Sequence, residues 1–286
     1  MLAHGKKTTG VTMVNTFKNT GPVRTGGLVT LELIYHTTVR EIRKSHRNAL
    51  IGILLSMFQA AIFIMAFYLL SSVLGMRQAP IRGDFMLYMM TGVFLFLTHT
   101  KSMSAVFGAE NSTSAMVRHA PLNTAIMICA AALGALYMQS FAMMGILLVY
   151  HLAVAPVHIN DPINFAAMFL LAWYSGIGVG LVFAAIKPWL PSFATIAQTI
   201  YARANMIASG KMFVANATPG YILALFSWNP LFHIIDQARG FMFMNYFPHH
   251  SNLTYPIIVS SILIVIGLLG EFYTRKNVSI SMSAGR

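Results

Sequence analysis

Long apolar segments make up most of the chain, and short polar connections separate them. Six of these segments approach or exceed the roughly 20 residues that an α-helix needs to cross a bilayer. Four of the six carry no charge, whereas the second contains Lys101 and the fifth contains Arg203 and, close to its end, Lys211. The pattern predicts an all-α integral membrane protein with six transmembrane helices. The predicted spans are 49–74, 85–107, 122–154, 163–186, 190–213 and 255–270.

The segments outside the spans also have a recognisable pattern. Over 28–48, apolar residues recur every three or four positions and charged residues fill the opposite side. This predicts an amphipathic interfacial helix along the inner leaflet, with an ordinary solvated helix as the alternative. The polar segments 1–27 and 276–286 are predicted to be cytoplasmic tails, the first of them flexible, around a membrane domain over 49–275.

The segment 214–246, between the fifth and sixth spans, is apolar but interrupted by Pro219, Gly220 and Pro230. It is too broken for a regular span and predicts one or two re-entrant helices. Asn229 followed by Pro230 is a strong helix start, because Asn caps the free N–H groups and Pro suits the first turn. A structural hairpin that closes the outer end is an equally good interpretation of this segment.

Composition and charge restrict the function. Hydrophobic residues make up 57% of the chain and charged residues 9%, against about 45–50% and 25% in soluble domains. This excludes a cytosolic enzyme and a disordered tail, and a single cysteine, Cys129, excludes an intrachain disulfide. With the N-terminus inside, 14 of the 19 lysines and arginines face the cytoplasm and four face outward. The excess of positive charge therefore indicates membrane orientation, with both termini cytoplasmic, rather than binding to nucleic acid.

No sequence motif indicates covalent chemistry. The chain has neither the glycine-rich P-loop that cradles nucleotide phosphates nor a His-Glu-x-x-His zinc motif. Its seven carboxylates are scattered over loops and span ends. We therefore expect no catalytic site, no metal and no cofactor in this chain.

Two groups of polar residues are the candidate functional sites. One is cytoplasmic: a charged cluster next to the first span, and the loop 108–121, for which a plain connector is the alternative. The other is near the outer side: Arg203 within the fifth span, and a polar face on the helix that follows Asn229, on which Asp236 and Arg239 are placed to pair. His99, near the end of the second span, is expected to reach toward the inner surface with Lys101. The cytoplasmic candidates are Arg40, Glu41, Arg43, Glu110, Asn111, Arg118, His119 and Pro121, and the outer candidates are Arg203, Lys211, Trp228, Asn229, His233, Asp236 and Arg239.

The order of these features resembles the ABC-2 class of exporter permeases, and more narrowly the transmembrane subunit of Gram-negative capsular polysaccharide exporters. The resemblance covers about 28–276. It is carried by Val-Arg-Glu-Ile-Arg at 39–43, the loop 108–121, Gly-Val-Gly-Leu-Val-Phe at 178–183 and Trp-Asn-Pro-Leu-Phe-His at 228–233 with Arg239. The chain departs from the family at 46–47 and 56–58, and it has Asp236 where Glu is usual.

The resemblance implies a homodimer in the bacterial inner membrane, in which each subunit docks one ATPase subunit on its loop 108–121. The two ATPase subunits would bind ATP and Mg and drive a lipid-linked, usually anionic, polysaccharide from the cytoplasm to the periplasm between the permease subunits. A periplasmic adaptor and an outer-membrane channel would continue the path. The cytoplasmic candidates would then couple to the ATPase, and the outer candidates would line the substrate path.

Three alternatives are open at the level of sequence. An O-antigen or teichoic-acid permease would have the same architecture and a different polymer. A membrane enzyme that acts on lipid-linked sugars would need a clustered acid or His/Asp site, which the sequence lacks. A membrane scaffold that transports nothing would not need an arginine within a span.

Overall fold

Every regular element in the computed structural model is helical over the residues it describes, which are 26–45, 48–73, 83–109 and 124–284. The predicted all-α class is therefore confirmed. A 3-10 turn at Ala215–Ala217 precedes the two shortest helices. The helices are α1 (Gly26–Ser45), α2 (Ala49–Val73), α3 (Phe85–Gly108), α4 (Thr124–Ala153), α5 (Pro162–Ile186), α6 (Pro191–Ala208), α7 (Gly220–Phe226), α8 (Pro230–Met242) and α9 (Thr254–Ala284).

Among the described residues, four helices are long and apolar enough to cross a membrane: α2, α4, α5 and the part of α9 that ends at Thr274. Their bounds lie close to those of the predicted first, third, fourth and sixth spans. Helix α3 has the predicted bounds of the second span but is less apolar, because its last turns carry polar residues. Helix α6 is shorter than the predicted fifth span, since Gly210 adopts a left-handed φ of 71° just beyond its end.

Helix α3 forms the centre of the bundle and packs against α2, α4, α5 and α8. Its residues from Leu87 to His99 are all buried. Helix α5 lies between α3 and α9, and glycines allow the close approach on both sides. A Cβ at Gly180 would lie 2.7 Å from the Met103 carbonyl oxygen of α3, and a Cβ at Gly178 would lie 3.0 Å from the Ser260 carbonyl oxygen of α9.

The structure describes only part of the segments that lie outside the predicted spans. Helix α1 confirms a helix in the predicted interfacial region, and it packs on α4. Helix α9 continues to Ala284, so most of the segment predicted as a cytoplasmic tail from 276 is helical, and its cytoplasmic location stays a prediction. Most of the predicted N-terminal tail and most of the loop 108–121 lie outside the described residues.

Candidate substrate path and coupling surface

Asn229 fixes the start of α8 against the end of α6. Its side-chain oxygen accepts a hydrogen bond from the backbone N–H of Leu231 at 3.0 Å, which satisfies a free donor of the first turn. Its side-chain nitrogen donates to Asn205 Oδ1 at 2.7 Å and to the Ala208 carbonyl at 2.9 Å. The predicted helix start is confirmed, and the same side chain also closes the C-terminal end of α6.

Arg239 is buried and holds the turn that follows α6. Its guanidinium donates to the carbonyls of Gly210 (3.0 Å), Phe213 (2.8 Å) and Lys211 (2.6 Å). It also stacks over Tyr88 of α3, 4.1 Å from the ring centroid. Only 1% of Arg239 is exposed. Within a single chain, its charge therefore stabilises backbone rather than facing an open path.

Asp236 is also buried, and its partners come from the segment after α8. Its carboxylate accepts hydrogen bonds from the Tyr246 hydroxyl and from Ser251 Oγ, the latter at 2.6 Å. Burial and the neighbouring carboxylate raise the pKa of the Tyr246 phenol, so Tyr246 stays protonated and remains a donor. Asp236 and Arg239 thus have separate partners and do not form the pair that their spacing suggested.

His233 connects α8 to the segments on either side of it. Its Nε2 lies 2.8 Å from the Ser227 carbonyl, and its Nδ1 lies 3.3 Å from the backbone N–H of Asn252. A carbonyl only accepts and a backbone N–H only donates, so both contacts are made by the neutral tautomer with the proton on Nε2. His233 is thereby positioned as part of the same polar network.

Lys211 is buried in an aromatic cage. Its ammonium lies 3.4 Å from the ring centroid of Phe96, 4.7 Å from that of Phe67 and 5.6 Å from that of Phe63. Gly92 makes room for its stem, because a Cβ there would lie 2.9 Å from Lys211 Cβ. In the described part of the chain, its nitrogen has no hydrogen-bond partner. The cage, which the sequence analysis missed, was signalled by the i, i+4 spacing of Phe63 and Phe67.

Arg203 and Trp228 are the outer candidates whose side chains remain exposed. Trp228 is 82% exposed, and its carbonyl accepts a hydrogen bond from the Tyr255 hydroxyl at 2.8 Å. Arg203 is exposed on α6. Because α6 ends at Ala208, Arg203 lies in the last two turns of the helix rather than at the middle of a longer span. Arg203 precedes the last turn of α6, so the helix dipole contributes little to its stability there.

A buried polar relay joins the three helices α3, α5 and α6. Tyr201 OH lies 3.2 Å from His99 Nε2, His99 Nδ1 lies 2.8 Å from Ser175 Oγ, and Ser175 Oγ donates to the Ala172 carbonyl at 2.9 Å. The chain of donors runs from Tyr201 through His99 to Ser175. His99 is thus fully buried and does not reach the inner surface as expected, because α5 and α6 provide its partners.

The cytoplasmic candidates are only partly described. On α1, Arg40 contacts the Met127 sulfur of α4 at 3.5 Å, Glu41 is half-buried beside α4, and Arg43 is exposed. These residues tie α1 to the bundle and leave one arginine at its surface. The remaining coupling candidates lie outside the described residues: Glu110, Asn111, Arg118, His119 and Pro121.

Within the described ranges, no group of three His, Cys, Asp or Glu side chains is placed to hold a metal ion. Polar side chains instead form hydrogen-bond networks between helices. Neither protein-family models nor curated proteins give a match to this chain.

Proposed function

We propose that this chain is the transmembrane subunit of an ABC-2 type exporter that moves a lipid-linked, anionic polysaccharide of the capsular class outward. Two copies form the conduit, and an ATPase subunit on each copy binds ATP and Mg and drives transport. The proposal is supported by the order of sequence features, by the all-helical fold with membrane-length helices, and by the placement of Arg203.

In this proposal α3 and α6 complete a six-span arrangement, with α7 and α8 as the re-entrant pair. Helix α3 is enclosed by other helices, so it tolerates polar residues that a lipid-facing helix would not. Helix α6 has 18 residues and is about 27 Å long at 1.5 Å per residue, close to the roughly 30 Å of a bilayer core. The chain is placed in the inner membrane with both termini cytoplasmic, following the distribution of its basic residues.

The observation that carries the proposal is the exposed face of α6, which we call the α6 stripe. It consists of four apolar side chains, each 59–66% exposed, and one arginine, all at helical spacing. Lipid covers apolar side chains well, but it solvates a guanidinium poorly. A second copy on this face leaves both Arg203 side chains along a shared path, where like charges favour an anion between them. The stripe contains Phe193, Ile196, Ile200, Arg203 and Ile207.

The second element of the proposal is a rigid support beside the path. Asn229 and Arg239 join α8 to the end of α6 and to the turn after it. Trp228 is exposed at the start of this support and offers a ring on which sugars can stack. In this proposal the buried outer candidates hold the helices beside the path in place, and the exposed outer candidates contact the polymer.

The dimer in this proposal is tested by cross-linking in membranes that also contain the ATPase. Ile196→Cys is placed in a Cys129→Ser background, and Ile262→Cys on the exposed side of α9 is the matched control. Ile196→Cys is expected to form a dimer band on mild oxidation, and Ile262→Cys is not. Equal cross-linking of both variants would argue against the α6 stripe as the dimer face.

The transport function is tested in a strain from which this gene is deleted. Loss of surface polysaccharide and accumulation of lipid-linked polymer inside the cell are expected, and the wild-type chain should restore export. Restoration should fail when the partner ATPase carries an inactive nucleotide site. Normal surface polysaccharide in the deletion strain would overturn the proposal.

A further inference from the structure

The exposed side of α6 differs from that of α2, α4 and α9. In those three helices, the exposed side chains over 49–73, 124–150 and 255–270 are apolar or aromatic, as contact with lipid favours. On α6, by contrast, three exposed side chains carry an aliphatic hydroxyl group. We call them the hydroxyl row, and they are Ser192, Thr195 and Thr199.

The hydroxyl row follows one line along the helix and continues into Arg203. Its positions are separated by three and four residues, and Arg203 follows Thr199 by four, so all these side chains project from one side of α6. Ala194 and Asn205, the buried residues of α6, lie on the opposite side. The row therefore points away from the bundle, beside the apolar side chains of the α6 stripe.

The hydroxyl protons of the two threonines are already used within the helix. Thr195 Oγ1 donates to the Pro191 carbonyl at 2.9 Å, and Thr199 Oγ1 donates to the Thr195 carbonyl at 2.8 Å. These bonds leave lone pairs on the exposed hydroxyl oxygens, which can still accept hydrogen bonds. The row therefore suits a partner that supplies hydrogen-bond donors.

The need for donors distinguishes the possible partners of this row. Lipid chains offer no donors, and the same row of a second copy would bring threonines whose protons are also used. A polymer rich in hydroxyl groups offers many donors, and the guanidinium of Arg203 favours one that also carries carboxylate or phosphate. We propose that the hydroxyl row and Arg203 form a track that binds the sugar hydroxyls and the acidic groups of an anionic polysaccharide.

This inference rests on the proposed function and adds the residues that contact the sugars. In the proposed orientation α6 begins at the cytoplasmic side, so the row starts where the polymer enters. From Ser192 to Arg203 the track extends over about 17 Å, at 1.5 Å per residue. Hydrogen bonds between neutral groups are individually weak, so they can guide a polymer and still release it as it moves.

Contact is tested by photo-cross-linking in cells that contain the ATPase and make the polymer. A benzophenone side chain is placed at position 199, or at position 262 on the exposed side of α9 as the control. The cells receive radioactively labelled glucose and are illuminated during export, and the label on the purified chain is counted. Label is expected with the probe at 199 and only background with the probe at 262. A cross-link from 199 to a second copy, without label, would overturn the inference, because the row would then face the dimer partner.

Substitutions test whether these contacts contribute to export. Thr195→Val/Thr199→Val keeps the shape of both side chains and removes their acceptors, so surface polysaccharide per inserted dimer should fall roughly tenfold, as expected for two neutral hydrogen bonds. Thr195→Ser/Thr199→Ser keeps the acceptors and should export like the wild type. Thr30→Val is the matched control, because Thr30 is exposed on α1 and donates in the same way to the Gly26 carbonyl.

The outcomes separate this inference from the proposed function. Normal surface polysaccharide in the deletion strain would contradict the proposed function itself. Export that requires the chain, together with wild-type export by Thr195→Val/Thr199→Val, would contradict only the role of the hydroxyl row. Cross-linking through Ile196→Cys reports dimer formation in the same variants. If the valine variant does not assemble, the label at 199 decides the question.

Discussion

Two arginines of the same region illustrate opposite uses of a charge in apolar surroundings. Arg239 on α8 is buried, and its guanidinium donates to three backbone carbonyls while it stacks on Tyr88. Arg203 on α6 is exposed, and its neighbours on the α6 stripe are apolar. Position in the sequence made both residues candidates for contact with an anionic polymer. Their surroundings distinguish them.

The two arginines differ in whether their removal would leave other groups of the protein without a hydrogen-bond donor. Without Arg239, the carbonyls of Lys211 and Phe213 lose their donor and that of Gly210 keeps only the backbone N–H of Phe213 at 3.4 Å, and buried carbonyls are costly to leave unpaired. Without Arg203, no described group loses a hydrogen-bond partner, so the bundle itself does not need the charge. A charge that the fold does not need, kept on an otherwise apolar surface, is better explained by function.

The largest effect is expected from Arg239→Leu. Each unsatisfied carbonyl costs about 1–3 kcal/mol, so the two that lose their donor, Lys211 and Phe213, together cost several kcal/mol, a large fraction of a domain's stability. We expect the variant to accumulate poorly and to lose its folded state at much lower temperature. Thermal unfolding of the detergent-purified chain measures this, with Arg203→Leu as the matched control. Wild-type stability of Arg239→Leu would contradict the structural role of this guanidinium.

Arg203→Leu should reduce transport and leave the stability of the protein nearly unchanged. The side chain is exposed, so the substitution should change the free energy of unfolding by no more than about 0.5 kcal/mol. Export should nevertheless fall roughly ten- to a hundredfold, since one charged contact to the polymer is worth about 1.5–3 kcal/mol and each 1.4 kcal/mol is about a factor of ten. Arg203→Lys should keep part of the activity, because it retains the charge but not the bidentate fork. The measurement is surface polysaccharide per correctly inserted dimer, and normal export by Arg203→Leu would reduce Arg203 to a packing residue.

Substitution of Asn229 should lower the free energy of unfolding by an intermediate amount. Part of this loss comes from the cap of α8 and part from the bonds to α6. Asn229→Ala removes the cap of α8 and both bonds to the end of α6, whereas Asn229→Ser keeps a capping oxygen. Loss of the cap alone costs about 1 kcal/mol, so Asn229→Ala should be less stable than Asn229→Ser by about that amount. Thermal or denaturant unfolding of both variants checks this difference. Equal stability of the two would mean that the cap contributes nothing at this position.

The helices were predictable from sequence because each long apolar run identifies a helix without reference to the rest of the chain. The bounds of α2, α3, α4 and α5 follow from the runs themselves, within a few residues. The end of α6 does not follow from its apolar run. The chain turns at Gly210, and this turn is stabilised by Arg239, which is distant in sequence. Gly210, which follows the C-cap Ser209, is a local signal for the end of the helix, but the predicted span ran past it to 213.

The candidate site was predictable in composition but not in arrangement. Sequence patterns identified Asn229, His233, Asp236 and Arg239 as a polar group on one helix, and the structure places all four in hydrogen-bond networks. Their partners lie in other segments, including Ser251, and a helical spacing rule cannot find those. Spacing therefore suggested an Asp236–Arg239 pair where each residue has its own partners.

Of the two buried charges, Lys211 is expected to contribute less to stability, although it is as deeply buried as Arg239. Its ammonium contacts aromatic rings and has no hydrogen-bond partner among the described residues, so Lys211→Met removes a charge that is costly to bury. Methionine is flexible and makes favourable sulfur contacts with aromatic rings, which offsets the lost cation–π attraction. We expect the free energy of unfolding to change by less than about 1 kcal/mol.

Gly92→Ala is the matched control for that substitution, because it disturbs the same cage by size rather than by charge. Its Cβ would lie 2.9 Å from Lys211 Cβ and 3.0 Å from the Lys211 backbone, which should cost about 1–3 kcal/mol of overpacking. Thermal unfolding of the two variants should therefore rank Gly92→Ala below Lys211→Met. The reverse ranking would mean that the ammonium, and not the space around it, stabilises the cage, and Lys211 would then belong with Arg239 as a charge that the fold requires.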